Sequence, residues 1–304
     1  MPETTPMPET TPMPETPPER LRVWKTYKLF IGGAFPRSES GRVYPVTDTS
    51  GAHLANAPRA SRKDARDAAA AARKAFGRWS GATAYHRGQI LYRIAEMLQG
   101  RHQQFTDEVA HGEGVSAQRA AAQVEAAIDR WIWYAGWADK VHQVFGNPNP
   151  VAGPYFNLST PEPTGTIAIL APQHSSLLGL VSTLAPAITT GNTAVVIAST
   201  PHPLPALTLG EVLATSDLPP GVVNILTGHH DELAPTLAAH QDINALDLTG
   251  APTPAHATHL ETLAADTLKR IHHPHPHEDF TTTPTTTRLT THLETKTIWH
   301  TTGP

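Results

Sequence analysis

The chain contains no cysteine. That absence excludes disulfides, zinc–thiolate sites and a cysteine nucleophile within these 304 residues. It leaves the redox compartment open. Charge is sparse as well: 16% of residues are charged, against about 25% in an average soluble domain. The formal net charge is −4, so no basic nucleic-acid-binding surface is implied. No apolar run approaches the ~18 residues of a membrane span. The first residues lack the basic head and apolar stretch of a secretory signal. Neither membrane nor nucleic-acid association is expected, and the expected location is cytoplasmic.

Proline, by contrast, is abundant: 29 residues, about twice the usual share. Several of them fall in a threefold repeat opening with Met1-Pro-Glu-Thr-Thr-Pro, then Met7-Pro-Glu-Thr-Thr-Pro and Met13-Pro-Glu-Thr-Pro-Pro. Proline blocks helix and sheet there, and no large apolar side chain is present to bury. The pattern predicts a disordered tail over residues 1–24.

Ordered sequence is predicted from Tyr27, with residues 27–35 as a strand reaching a Gly-Gly turn and residues 42–46 as its partner. Ser61 and Asp64 make a capping box that opens an Ala-rich helix running to Phe76. A second helix is predicted from Arg87 to Val109, with Ile90, Leu91, Ile94, Met97 and Leu98 at helical spacing. A third spans residues 116–142, its aromatic cluster of Trp131, Trp133, Tyr134 and Trp137 reading as core or interface packing. A short strand is predicted over residues 155–158.

The rhythm then changes. Apolar strands at residues 166–170, 193–198, 221–226 and 243–248 alternate with helical stretches at 177–189, 204–214 and 231–240. Such alternation requires right-handed crossovers and a parallel sheet covered on both faces. The predicted fold class is α/β, a doubly wound parallel sheet of Rossmann-like, dinucleotide-binding type, with N-terminal helices and a short tail strand at residues 293–299.

These motifs resemble the aldehyde dehydrogenase superfamily. Leu29-Phe-Ile-Gly-Gly, Pro161-Glu-Pro-Thr-Gly165, Leu184-Ala-Pro-Ala-Ile-Thr-Thr-Gly-Asn-Thr193, Leu218-Pro-Pro-Gly-Val-Val-Asn-Ile-Leu-Thr-Gly228 and Leu248-Thr-Gly250 occur in the family's order. The resemblance covers about residues 27–271 and returns at 293–299. It implies residues 25–271 as the family's cofactor-type domain, 272–290 as a His/Thr-rich linker and 291–304 as a tail strand resembling the oligomerisation segment. The family binds its cofactor without a G-x-G-x-x-G fingerprint, so the lack of one here is consistent. The implied activity is NAD(P)-dependent oxidation of aldehydes to acids, through a cysteine thiolate, a glutamate base and an oxyanion-hole asparagine.

Tested residue by residue, that chemistry is depleted. The cysteine is absent. The family's Glu-Leu-Gly-Gly should follow Leu268-Lys-Arg-Ile271, where this chain reads His272-His-Pro-His-Pro-His277. Glu278 lacks the context of a base. Pro-Trp-Asn is replaced by Pro172-Gln173-His174, so His174 stands at a degenerate oxyanion position. The cofactor run Lys-Pro-Ser-Glu has become Ile197-Ala-Ser-Thr200, keeping only Ser199. Gly228 persists with His229 and His230 behind it. Gly250 is followed by Ala251 and Pro252, which remove a hydroxyl and an amide from the pyrophosphate position.

No catalytic residue is therefore assigned. The degenerate cofactor-contact set is Leu170, Pro172, Ser199, Gly228, Leu248 and Gly250. NAD(P) is implied by resemblance only, and no metal site is assigned. Eleven of the 18 histidines lie from His229 onward. The prolines among residues 272–277 deny that cluster the helical spacing of a zinc pair. Two functional readings from different classes stand. One is a non-catalytic subunit that pairs with itself or with a full-length aldehyde dehydrogenase. The other is an oxidoreductase whose site a partner chain completes. A decayed gene product is a third.

Overall fold

The structure, a computed structural model, describes residue 21, residues 23–273 and residues 278–303. Residues 1–20, most of the predicted disordered tail, and the Pro/His stretch 274–277 lie outside the described residues.

The chain enters at Leu29 and Phe30, both buried. Phe30 exchanges a backbone bridge with Ile225 across the molecule, and Gly32 and Gly33, both at positive φ, turn the chain back. The predicted pairing of residues 42–46 with this segment is corrected. Those residues form β1 (Val43–Thr47), which pairs antiparallel with β2 (His53–Pro58). Asp48 and Gly51 make the turn between them, and the Asp48 carboxylate accepts from the backbone of Ser50 and Ala52.

The capping box forms as expected and starts α1 (Arg62–Ser80). The Ser61 hydroxyl accepts from Lys63 N and Asp64 N, while the Asp64 carboxylate accepts from Ser61 N at 2.8 Å. Such a cap stabilises a helix by about 1 kcal/mol. The single helix predicted from Arg87 to Val109 is two, α2 (Ala84–Gln99) and α3 (His102–Glu113). Gly100 and Arg101 break it, and the bend lets Leu98 and Phe105 both bury completely. α4 (Ala117–Trp137) likewise stops before the short α5 (Val141–Phe145).

A three-stranded antiparallel sheet follows. β3 (Asn147–Asn149) pairs with β4 (Tyr155–Pro163), which extends well past the predicted short strand. The doubly wound unit comes next: β5 (Thr166–Leu170), α6 (Leu178–Thr189), β6 (Thr193–Ile197), α7 (Leu204–Ala214), β7 (Val223–Leu226), α8 (His230–Ala238) and β8 (Ala245–Asp247). Like β2 and β3 before them, α9 (Pro254–Ala265), β9 (Arg270–His272) and α10 (Thr287–Thr291) were not foreseen. Finally β10 (Leu293–Thr301) adds to β4 in nine-residue register and becomes the edge of the small sheet, whose order is β10-β4-β3.

The large sheet is parallel throughout, in the order β7-β6-β5-β8-β9. Its strands sort by residue parity, as a pleated strand must. Ile167, Ile169, Ala194 and Val196 join the core made with α2, α4 and α6. Ala168, Leu170, Val195 and Ile197 face the core made with α1, α8 and α9. Both faces are covered, which explains why the strands read as unbroken apolar runs. The aromatic cluster of α4 is packing: Trp131 and Tyr134 are buried, and Trp133 stands edge-on to Tyr134. No helix among the described residues is long and apolar enough to cross a membrane.

Candidate functional site at the carboxyl edge of the parallel sheet

In a sheet ordered this way, the chain runs outward from β5 to β6 and β7, then crosses back past β5 to add β8 on its other side. The chain ends that diverge there open a crevice at the carboxyl ends of the strands. A groove of about 840 Å³ occupies that place, lined by the turn after β5 (Pro172, Gln173, His174, Ser175) and the turn after β8 (Thr249 to Pro252). Glu113, Arg119 and residues 278–281 complete its walls.

The sequence-derived positions all lie at this edge. Leu170 closes β5, Ser199 follows β6, Gly228 follows β7, and Leu248 and Gly250 follow β8. Leu170, Pro172, Ser199, Gly228 and Leu248 are buried, whereas His174 is exposed on the groove wall. Gly250 N donates to Leu170 O at 2.8 Å. A Cβ on Gly250 would stand 2.0 Å from Ala171 O and 2.6 Å from Leu170 O, both backbone atoms that cannot step aside. Gly250→Ala is therefore expected to cost about 3 kcal/mol, as overpacking of a rigid contact does. A urea unfolding curve matching the parent would refute this.

Two residues that sequence reading passed over organise the rim. Gln173 donates from its amide to Ala171 O at 2.7 Å and accepts from Thr200 N at 3.0 Å. Its own carbonyl accepts from the Ser199 hydroxyl at 2.9 Å, and Ser199 Oγ accepts in turn from His202 N. His230 is 6% exposed, its Nε2 3.2 Å from the Gln173 amide nitrogen and 3.4 Å from Ala198 O. Burial pushes its pKa down to about 4, so its imidazole is neutral at pH 7. Thr200 Oγ1 donates to Gly228 O at 2.9 Å.

The hydroxyls that follow β6 are thus engaged within the protein. Ser199 and Thr200 serve Gln173 and Gly228. Ile197 is fully buried and offers no donor where the family resemblance implies a ribose-binding lysine. Pro252 has no N–H for a pyrophosphate. The residues present do not fit an NAD(P) molecule in the way the family's motifs do.

The segment after residue 277 forms one wall. Arg130 (7% exposed) on α4 donates to Ser182 Oγ at 2.6 Å, Phe280 O at 2.8 Å and Thr282 O at 2.7 Å. Arg288 on α10 donates to both oxygens of Glu278, at 2.7 and 2.5 Å, and to Asp247 Oδ2 at 3.1 Å. Burial alone would raise the Asp247 pKa. His292, 3.9 Å away, and the Arg288 guanidinium outweigh it and hold the carboxyl well below the usual carboxylate range. Arg288 in turn is kept charged by Asp247 and Glu278 against its own burial. Glu278 is therefore an ion-pair partner in the wall. The only sequence signal for this lock was a lone arginine within a threonine-rich stretch. Among the described residues, no cluster of three or more His, Cys, Asp or Glu side chains is placed to hold a metal ion.

Comparison with known proteins identifies the scaffold. Residues 35–273 match the aldehyde dehydrogenase family. Human (Homo sapiens) retinal dehydrogenase 2 is 33% identical over 252 residues, covering 81% of this chain and 48% of that protein. A mitochondrial benzaldehyde dehydrogenase of Antirrhinum majus is 32% identical, with 80% of this chain and 46% of that protein covered. Among solved structures, HpcC from Thermus thermophilus superposes with a TM-score of 0.77 at 31% identity, over 81% of this chain and 47% of that one. The NAD+ complex of an aldehyde dehydrogenase from Bacillus cereus gives a TM-score of 0.76 at 25% identity, over 81% and 50%. The chain spans about half the length of these relatives. With the sheet order, the glycine-bound turn after β8 and this match over most of its length, the chain belongs to the aldehyde dehydrogenase family.

Proposed function

We propose that this chain is a non-catalytic member of its family, a cofactor-type domain that acts by association with itself or with a full-length aldehyde dehydrogenase. The observation that carries this reading is chemical. Nowhere among the 304 residues is there a cysteine, and the rim groups at the sheet edge are engaged with one another. A thiohemiacetal has no nucleophile here on which to form. NAD(P) binding by this chain alone is correspondingly weak.

The association surface proposed is the small sheet. β10 pairs with β4 on one side only, and an edge strand is a template for strand addition. Tyr155, Phe156 and Trp299 remain 44–60% exposed there, with Tyr155 and Trp299 edge-to-face at 5.8 Å. An exposed aromatic group on an open strand edge suits a protein partner. Cytoplasmic residence fits such a role.

Two measurements test the reading. Purified chain incubated with NAD+ or NADP+ and a panel of aldehydes is expected to form no reduced cofactor; steady NADH or NADPH formation would overturn it. Light scattering is expected to give a mass above that of one chain, or a stable complex with a full-length aldehyde dehydrogenase. A strict monomer that binds no dehydrogenase rejects the partner role. The groove also favours a second reading, because it stays open between residues 172–175 and 249–252. A partner chain supplying the nucleophile would make this an oxidoreductase completed in trans. Aldehyde-dependent NADH formation only in the mixture, lost when the partner's own cysteine is replaced, would mark the nucleophile as the partner's, and retention of that activity without this chain would dismiss completion in trans.

A further inference from the structure

A second cavity lies apart from the sheet edge. None of its lining residues belongs to the strand ends that form the groove. Residues 24–27 make one wall and the β1–β2 hairpin makes the other, with Arg37 and Ser38 between them. Its volume is about 640 Å³, in the range of about 300–1,000 Å³ typical of small-molecule sites. Trp24 to Tyr27 precede residue 35, where the family match begins.

The lining has a one-sided charge. Lys25, Arg37 and Arg42 contribute to it, and none of the described lining residues is Asp or Glu. The carboxylates that pair with two of these cations, Glu211 with Lys25 at 2.8 Å and Glu232 with Arg42 at 2.9 Å, are not among the lining residues. Arg37 is exposed and makes no ion pair with a described residue. The lining is also aromatic and apolar. Trp24 and Val43 stay 50% and 58% exposed although both are large apolar residues. Trp24 stands edge-on to His53 with ring centroids 5.8 Å apart.

The wall is built rather than draped. Tyr27 OH donates to Glu108 Oε1 at 3.2 Å, and Lys25 Nζ sits 4.7 Å from the centre of the Tyr27 ring. The Tyr27–Glu108 bond and the Lys25–Glu211 pair hold residues 25–27 against α3 and α7. A preformed cavity of this size, with an aromatic wall and a fork-shaped Arg37 guanidinium that has no ion-pair partner among the described residues, suits a flat ring bearing an acid group. Such a ring would stack on the aromatic wall, and its carboxylate would pair with the Arg37 guanidinium. We propose that this cavity is a binding site for an aromatic carboxylic acid. The proposal is independent of the proposed function, since it uses neither the groove nor the strand edge.

The test is titration of the full chain with 2-naphthoate, followed by calorimetry and tryptophan fluorescence, with neutral 2-naphthylmethanol as control. One 2-naphthoate per chain is expected, bound at least about tenfold more tightly than the alcohol because a charge-assisted bond is lost in the latter. Arg37→Glu is expected to weaken 2-naphthoate at least about tenfold, and Trp24→Ala by a similar factor, while alcohol binding responds to Trp24→Ala alone. Arg37→Gln, which adds no negative charge, serves if the glutamate variant misfolds, and is expected to weaken 2-naphthoate in the same direction. No saturable binding at millimolar 2-naphthoate overturns the proposal. So does equal affinity for acid and alcohol, or full affinity in a folded Arg37 variant.

Discussion

Replacing Arg288 with alanine is expected to cost about 3–5 kcal/mol of stability, the loss seen when one partner of a buried ion pair is removed. Asp247 is 1% exposed at the end of β8 and its Oδ2 faces Arg288 Nη1 at 3.1 Å. Thr249 N and Oγ1 bond its other oxygen. Without the guanidinium, a carboxylate in the protein interior would be left with the Thr249 hydrogen bonds and the nearby imidazoles of His272 and His292, and Glu278 would lose its bidentate partner as well. The wall formed by residues 278–292 would then be held by Arg130 and by Leu289, which is fully buried. The sign of the pH dependence follows from the lowered Asp247 pKa. Its contribution is present above the unfolded value near 3.8 and disappears as pH falls below it. Urea unfolding at pH 7 measures the loss. Combining Arg288→Met with Asp247→Asn should recover part of it, because the uncompensated charge is then gone. A loss under about 1 kcal/mol for Arg288→Ala would show that the pair contributes little beyond surface ion pairs.

Glu108 supplies the second large effect, with the opposite pH sense. Its Oε1 accepts from Thr208 Oγ1 at 2.7 Å, Gln104 Nε2 at 3.2 Å and Tyr27 OH at 3.2 Å. Oε2 is buried without a hydrogen-bond partner among the described residues. Burial pushes the carboxyl up to about 7, against the pull of the Thr208 hydroxyl and of Lys25. Glu211 on α7, already paired with Lys25 and Arg101, raises the neighbouring Tyr27 further. In the unfolded chain Glu108 releases its proton near 4.5, whereas in the fold it keeps the proton to about 7. Between those values the native state holds more protons, so stability falls as pH rises. The contribution is complete below the unfolded value and is lost once pH passes the folded one. At about 1.4 kcal/mol per unit, the whole change amounts to roughly 3–4 kcal/mol. Glu108→Gln keeps an acceptor for all three donors and removes the titration. It should match the parent near pH 4 and exceed it by about that amount at pH 8. Parallel pH–stability profiles for the two proteins would exclude Glu108 as the source.

Much of the fold was legible because its signals are local or periodic. The Ser61–Asp64 box needs only four residues to close, so it reads directly from the chain. The apolar runs of β5 and β6 announce a sheet buried on both faces. Boundaries that depend on distant packing were not legible. The break at Gly100 exists because Leu98 and Phe105 must both reach the same core. β1 lost its predicted partner because the backbone groups of Leu29, Phe30 and Ile31 bond to Pro36, Ile225 and Ala34, and β2 pairs with β1 instead. β9 and α10 have no periodic signature, being three and five residues long.

The candidate site divides the same way. Residue identity alone established that the chain has no thiol and that a glycine follows β8, and the family resemblance implies that Ile197 and His174 stand where a cofactor lysine and an oxyanion asparagine are expected. Those are statements about which chemical groups exist, and no fold can add a missing one. Only the tertiary structure decided what the remaining polar groups do. Gln173 and His230 are 57 positions apart, and Asp247 and Arg288 are 41 apart. Whether such groups face a ligand, solvent or one another depends on where parallel strands end and how a distant segment returns. Hydrogen bonds and buried ion pairs act over a few ångströms, and that proximity is set by packing across the sheet.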